Sequence, residues 1–353
     1  MSSRLKALRW LVGASFLICS ASVWASAEVL KSPWDSVKVT ATDAAYTCPA
    51  APAFAKTIEI GSYYVDDHAS VVDPAKFAAF QKASDAPNQL SRSVALAADA
   101  YLSKGSRAAA QCVFSLLDAA AKAKAWSGHM SGYQGVYTQN WLLSAVAISY
   151  LKVRPSGLAT HEQDVEIQRW FGLLAAQVRQ FFDDEIQRLG SDGENNHIYW
   201  AGLAVAAEGI ANNDHGGFQW GLMAYRIGLH LIEPDGSLAA EMHRGQMALH
   251  YHLYALGPLI ILAEFGEANG LDLYAENHGA IHRLVRFCVA ILNDPTLLEK
   301  RTGVKQVVTL PYGGSDIGWA VPYVRRFPNA ELSALIAKAP TVRYSTWGGA
   351  PPS

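Results

Sequence analysis

Two stretches of this sequence hold residues suited to chemistry. In Asn195-Asn196-His197-Ile198-Tyr199-Trp200, just past the turn Gly190–Gly193, either asparagine can cap a helix. Asn196 and His197 then fall in or near its first turn, where free backbone N–H groups favour an anion such as a carboxylate. The plainer alternative is a simple cap with His197 and Trp200 in the core. The second stretch, from Glu241 to Tyr254, gathers His243, Arg244, His250, Tyr251 and His252 inside an Ala- and Leu-rich run. If that run is one helix, Arg244 and Tyr251 share a face two turns apart, roughly 10 Å along the axis. So polar a stripe within a core helix belongs in a cleft. A metal at His250-x-His252 is disfavoured, because on a helix those two side chains diverge by about 200°.

The elements that must position these residues read as helices nearly throughout. Runs with apolar recurrence at three and four residues cover 91–103, 107–126, 138–152, 162–187, 196–211, 218–232, 239–267, 274–293 and 319–337. Breakers such as Lys104-Gly105, Pro155-Ser156-Gly157 and Pro234-Asp235-Gly236 separate them. The fold class is therefore all-α, with helix hairpins that stack as a solenoid or close into a ring. The lack of a fixed-period repeat disfavours the solenoid. Residues 60–74, rich in Tyr, Asp and β-branched side chains, read as an ordered loop, either a lid or a surface connector.

The composition, 50% hydrophobic and 17% charged over 353 residues, fits a large core, and a net charge of −2 offers no footprint for nucleic acid. Arg4, Lys6 and Arg9, an apolar stretch over 11–23 and the small residues Ala25-Ser26-Ala27 read as a signal peptide cleaved after Ala27. Its removal takes away three basic residues and no acidic one, leaving −5 for residues 28–353, read as a single domain. An anionic ligand must then meet locally concentrated cations. Cys19 follows Ile18, a poor lipidation site, and no later window reaches about 18 uninterrupted apolar residues, so the protein is expected in the periplasm without a membrane anchor. Nothing demands an oligomer, and a monomer is expected. Of the remaining cysteines, Cys48 lies in a Pro-rich segment that a bridge to Cys112 would pin, leaving Cys288 free and buried; the alternative is three reduced thiols.

The pattern NNH-x-YW, then EM-x-R-x6-Y, YAL-x-PL and Asn293-Asp294-Pro295-Thr296-Leu297, resembles the alginate lyases of polysaccharide lyase family 5. Weaker matches extend to Leu117-Asp118, Lys122-Ala123 and the Cys48 region. The resemblance implies an (α/α) toroid with a deep cleft, and metal-independent β-elimination of mannuronate-rich alginate without a cofactor. By motif position, Asn196, His197 and Arg244 would neutralise the substrate carboxylate and Tyr251 would be the catalytic acid and base. Tyr64 best matches a substrate-contacting lid tyrosine, and Tyr137 and Trp141 match cleft-lining aromatics. His250 joins them as a substrate-binding candidate.

The reaction asks for such residues. Removing the C5 proton of a uronate builds charge on an enolate conjugated with the carboxylate, and cationic and amide donors lower that barrier. A base must take the proton and an acid must protonate the C4 leaving oxygen. In a mannuronan both lie on one face of the ring, so one tyrosine serves both steps, given a phenol acidified by Arg244 and nearby histidines. Two departures bear on substrate preference. Gly348-Gly349 lacks the arginine common two residues earlier, leaving Arg343, Arg325 and Arg326 as subsite candidates, and the lid carries Asp66-Asp67-His68 where a polyanion binder would carry bases. A broader polyuronate lyase is thus an alternative. So are a glycoside hydrolase using Asp183-Asp184 or Asp192-x-Glu194, and a non-catalytic polysaccharide-binding module.

Overall fold

The computed structural model describes residues 28–353, apart from the side chains of residues 191 and 192. The expected signal peptide lies outside the described residues. Helices α1 (Pro74–Lys104), α2 (Arg107–Lys122), α3 (Tyr133–Val153), α4 (His161–Leu189), α5 (Asn196–Asn212) and α6 (His215–His230) form the first part of the ring. The single turn α7 (Ala239–Met242) leads to α8 (Ala248–Ala268) and α9 (Glu276–Asn293). Four shorter helices follow: α10 (Thr296–Thr302), α11 (Gly314–Ile317), α12 (Ala320–Arg326) and α13 (Ala330–Lys338).

Inner and outer positions follow from composition. Helices α3, α5 and α8 are apolar nearly all round and buried on every face, and they pack side by side, with α1 beside α3. The more one-sided α2, α4, α6 and α9 cover them from outside. This alternation is the (α/α) toroid expected. Residues 245–268 are long and apolar enough to cross a membrane, yet 89% of that window is buried in the ring, which makes α8 its central stave.

Several boundaries differ from the sequence reading for local reasons. Helix α1 begins seventeen residues before the expected 91, because Asp73 caps it through Ala75 N and Lys76 N with Pro74 at its first position. The run 319–337 divides at Pro328. The run 239–267 is broken between α7 and α8, where Gly245 takes φ +53.

Both ends of the described chain are fastened to the ring. Cys48 and Cys112 form the expected disulfide with Cα atoms 5.5 Å apart, and Cys288 is free and buried. Trp34 is buried in the core. At the other end, the fully buried Lys152 of α3 donates from Nζ to Asp99 Oδ1 (2.8 Å) on α1 and to the carbonyls of Gly348 (2.6 Å) and Ala350 (2.7 Å). Ala350 N returns a bond to Asp99 Oδ2 at 2.9 Å. This clamp seats Trp347 parallel to Trp200 of α5 (6.2 Å, 8°), over Gly257, where a Cβ would meet the Trp347 ring at 2.8 Å.

Candidate active site

The site forms where the N-terminal ends of α5 and α8 meet the α7–α8 connection, beneath the loop 60–74. Asn195 caps α5, its Oδ1 accepting from His197 N at 3.0 Å. Next to it Asn196 is completely buried. Its Nδ2 donates to both carboxylate oxygens of Glu241 (3.0 and 3.1 Å), and its backbone N donates to Glu241 Oε1 at 3.3 Å. The anion-favouring start of α5 is therefore filled by the chain's own Glu241, not left open for a ligand. Sequence reasoning passed over Glu241; its signal was a lone acid three residues before Arg244 in a stretch destined for burial.

Arg244 reaches the site from the break after α7, not from the helix bearing Tyr251. The expected separation of two helical turns is thus corrected. Because Gly245 turns the chain, the Arg244 guanidinium lies over the Tyr251 ring, Cζ 4.5 Å from its centroid, while Nε faces Glu241 Oε2 at 3.6 Å. His197 stacks face to face on Tyr137 at 3.7 Å and 8°. Trp141 and His250 both pack on Tyr254, the first edge-on at 6.3 Å and the second stacked at 5.8 Å. Tyr254, absent from the expected set, is the hub of this aromatic wall; Trp200 Nε1 donates to its carbonyl at 3.1 Å.

The loop 60–74 lies against the site through Tyr64 and Ser70. An antiparallel bridge joins Tyr64 to Val72, and Asp66 accepts from Val71 N (2.7 Å), Ser70 Oγ (2.8 Å) and Ser70 N (2.9 Å). Burial is the largest single influence and pushes the Asp66 carboxyl up, but those donors together outweigh it and hold the carboxyl at about 2. Gln246 Nε2 donates to Ser70 O at 3.0 Å, latching the loop to the break beside Arg244. Tyr64 Oη lies 2.7 Å from Tyr251 Oη.

The electrostatics revise one expectation. Burial first, then the Tyr64 hydroxyl, push the Tyr251 phenol well above its ordinary value, with Arg244 alone opposing among its larger influences. Burial and Arg244 press His197 down to about 3, and burial lowers His250 as well. Both histidines are neutral at ordinary pH, so they bring no positive charge to acidify Tyr251, contrary to the sequence-based reading. Arg244 is the fixed cation of the site.

The outlying arginines have partners of their own. Arg343 Nε sits 3.3 Å from Asp99 Oδ2 at the C-terminal clamp. Arg325 Nη2 and Arg326 Nε grip Glu264 of α8 at 2.8 and 2.6 Å. Each of the three is paired with a buried carboxylate. Of the acids weighed for hydrolysis, Asp183 accepts from Trp220 Nε1 at 2.8 Å and Asp184 from Gln180 Nε2 at 3.0 Å. Among the described residues no three His, Cys, Asp or Glu are placed to share a metal ion; His252 is buried, its Nε2 accepting from Leu238 N at 3.1 Å, turned from His250.

Two cavities flank the centre and share Asn195. One, of 670 Å³, includes Asp67 and His68 of the loop 60–74, Glu194, Glu233, His243 and Arg244 in its lining. The other, of 200 Å³, is walled by Tyr133, Tyr137, Phe181 and His197 among others. Arg244 lines the first and His197 the second.

A ring of helix hairpins with such a centre has close counterparts. The family described as alginate lyase matches residues 58–297. A polysaccharide lyase of Stenotrophomonas maltophilia (strain K279a) is 38% identical over 297 residues, 83% of this chain and 86% of that protein. An alginate lyase of Pseudomonas syringae pv. syringae (strain B728a) is 31% identical over 322 residues, 88% of this chain and 84% of its own. Alginate lyase A1-III of Sphingomonas species A1 superposes with a TM-score of 0.73 at 25% identity, covering 91% of this chain and 95% of that one. Its variants with one histidine changed to alanine, or one tyrosine to phenylalanine, have been solved with a tetrasaccharide. Fold and site together define a polysaccharide lyase of the α/α-toroid type. The chain belongs to the alginate lyase family.

Proposed function

We propose that this enzyme depolymerises mannuronate-rich alginate by metal-independent β-elimination, with Tyr251 as acid and base. The observation that carries the reading is Arg244, held over the Tyr251 ring and close enough to His197 for its charge to be felt there. Arg244 meets the uronate carboxylate as a cation, and neutral His197, whose buried Nδ1 has no partner, serves as a hydrogen-bonding group. Asn196 acts from behind, through its bonds to Glu241. Tyr137, Trp141 and His250 wall the sugar path. In the resting arrangement Tyr251 is a neutral phenol covered by Tyr64; displacement of Tyr64 by substrate removes one of the influences that hold its proton, the phenol then releases that proton to solvent with Arg244 favouring the phenolate, and the phenolate takes the C5 proton. The resulting phenol returns that proton to the C4 leaving oxygen.

A second reading, a broader polyuronate lyase, is favoured by the larger cavity. Arg244 is the one Lys or Arg in its lining, against Asp67, Glu194 and Glu233. Such a subsite suits a neighbouring sugar of low charge. The test is ultraviolet absorbance of the conjugated product on separate polymannuronate, polyguluronate, polyglucuronate and polygalacturonate, with and without EDTA. A chelator-resistant rise on polymannuronate supports the first reading, and a comparable rise on other polymers supports the second. Absence of any rise from folded protein overturns both. The Cys48–Cys112 bridge supports an oxidising compartment, here the periplasm, reached through cleavage after Ala27, where the enzyme acts as an unanchored monomer. Mass spectrometry and gel filtration of the periplasmic protein test these assignments.

A further inference from the structure

Glu241 is the one acidic partner of the cleft arginine, and nothing in the elimination chemistry itself asks for a carboxylate there. It lies on the single turn α7, with its side chain 1% exposed. It touches both segments that deliver carboxylate-binding groups. On one side it accepts from Asn196 Nδ2 and N at the start of α5, one residue before His197. On the other it faces Arg244 Nε at 3.6 Å. With Nε turned inward, Nη1 and Nη2 are left for the cleft, and no hydrogen bond from either is found among the described residues. A planar guanidinium oriented through one edge presents its other donors in fixed directions.

We propose that Glu241 is a positioning residue of the elimination reaction: one buried carboxylate ties Asn196 and Arg244 together, aiming the Arg244 Nη donors at the substrate carboxylate beside His197. The inference rests on the lyase reading above. It also gives the start of α5 a different duty from the one its sequence suggests, since the helix end anchors the arginine's counter-ion and does not bind the sugar acid directly. Burial pushes the Glu241 carboxyl upward against the pull of Arg244 and Asn196, so the carboxylate depends on those partners. Its negative charge in turn offsets part of the influence of Arg244 on Tyr251.

The experiment compares kcat, KM and the pH profile of wild type, Glu241→Gln, Arg244→Lys and the double variant on polymannuronate, with thermal melts of each. Glu241→Gln keeps the size and one acceptor but loses the charge. Its kcat is expected to fall about 10²-fold, the cost of a misplaced binding group, with KM little changed. The pH limb that reports Tyr251 ionisation is expected to move to lower pH, because Arg244 then acts on the phenol unopposed. In the Arg244→Lys background the same change should cost less than about threefold, since the two residues act as a unit. Wild-type kcat with an unmoved limb, or full additivity in the double variant, overturns the proposal. If Glu241→Gln does not fold, Glu241→Asp decides. It keeps the charge on a shorter stem, so a folded protein with lowered kcat and an unmoved limb supports positioning, and wild-type kcat overturns it. Failure of both variants to fold assigns Glu241 a purely structural role and likewise overturns the proposal. An inactive wild type on every polyuronate defeats the lyase reading, whereas an active wild type with an indifferent Glu241→Gln defeats this inference alone.

Discussion

The phenol of Tyr251 sits in a desolvated pocket with one cation above its ring and one hydroxyl on its oxygen. Its proposed double duty predicts that Tyr251→Phe lowers kcat by about 10³-fold, within the usual range for removing a general acid or base. Calorimetry with mannuronate oligomers should show affinity changed by less than about threefold. Loss of affinity together with kcat would instead make Tyr251 a ground-state binding group. Burial is the larger cause of its high pKa and Tyr64 the next, so Tyr64→Phe removes part of the shift. The phenolate is the basic form; lowering its pKa therefore moves the rising limb of kcat/KM to lower pH, as a pH–rate profile would read. An unmoved limb would show that the Tyr64 hydroxyl does not bear on the base. The motif resemblance singled out Asn196, His197, Arg244, Tyr251 and Tyr64, whereas spacing alone left Asn196 and His197 open to a capping and packing role and misjudged how Arg244 reaches Tyr251. Neither gave Glu241 or Tyr254 a role, since a buried acid and one more aromatic gain meaning only from their neighbours in space.

Apolar runs and the breakers between them located most of the helices, but the cap at Asp73-Pro74 and the stop at Pro328 were passed over. The break at Gly245 was invisible to periodicity because residues on both sides keep a helical pattern, yet it is what brings Arg244 over Tyr251. His252 holds this junction. Its Nε2 accepts from Leu238 N before α7, and its Nδ1 lies 2.7 Å from Ala248 O at the start of α8. Burial presses its pKa from 6.5 to about 4. The unfolded chain therefore binds a proton that the folded one refuses within that window, and stability falls as pH drops from 6.5 toward 4. In His252→Gln, which keeps an acceptor for Leu238 N, the dependence of unfolding free energy on pH should flatten by about one proton across the same range. Urea melts at stepped pH measure this directly, and an unchanged slope would place the acid sensitivity elsewhere.

Across the whole molecule, alternation of all-round apolar and one-sided helices was readable as an all-α hairpin fold, while closure into a ring rested on the absence of a repeat. What could not be read was which acids the arginines meet, because Asp99 and Glu264 lie far in sequence from the cations they hold. The extended stretch before α1 is bound to the ring through Cys48–Cys112, a loop of 64 residues. Loop-closure entropy puts its contribution at about 4 kcal/mol. Cys48→Ser with Cys112→Ser should lower stability by up to that amount in denaturant melts and leave the turnover of folded protein unchanged. A fall in kcat in the folded variant would show that the bridge also shapes the site.

The clamp on Lys152 also bears on the site. An ammonium inside a dry core is tolerable only when its acceptors are in place, and two of its three acceptors are the carbonyls of Gly348 and Ala350. The same residues seat Trp347 against Trp200, whose indole in turn braces the backbone of Tyr254 beside Tyr251. A chain cut ahead of Trp347 therefore lacks both the paired lysine and the braced aromatic wall.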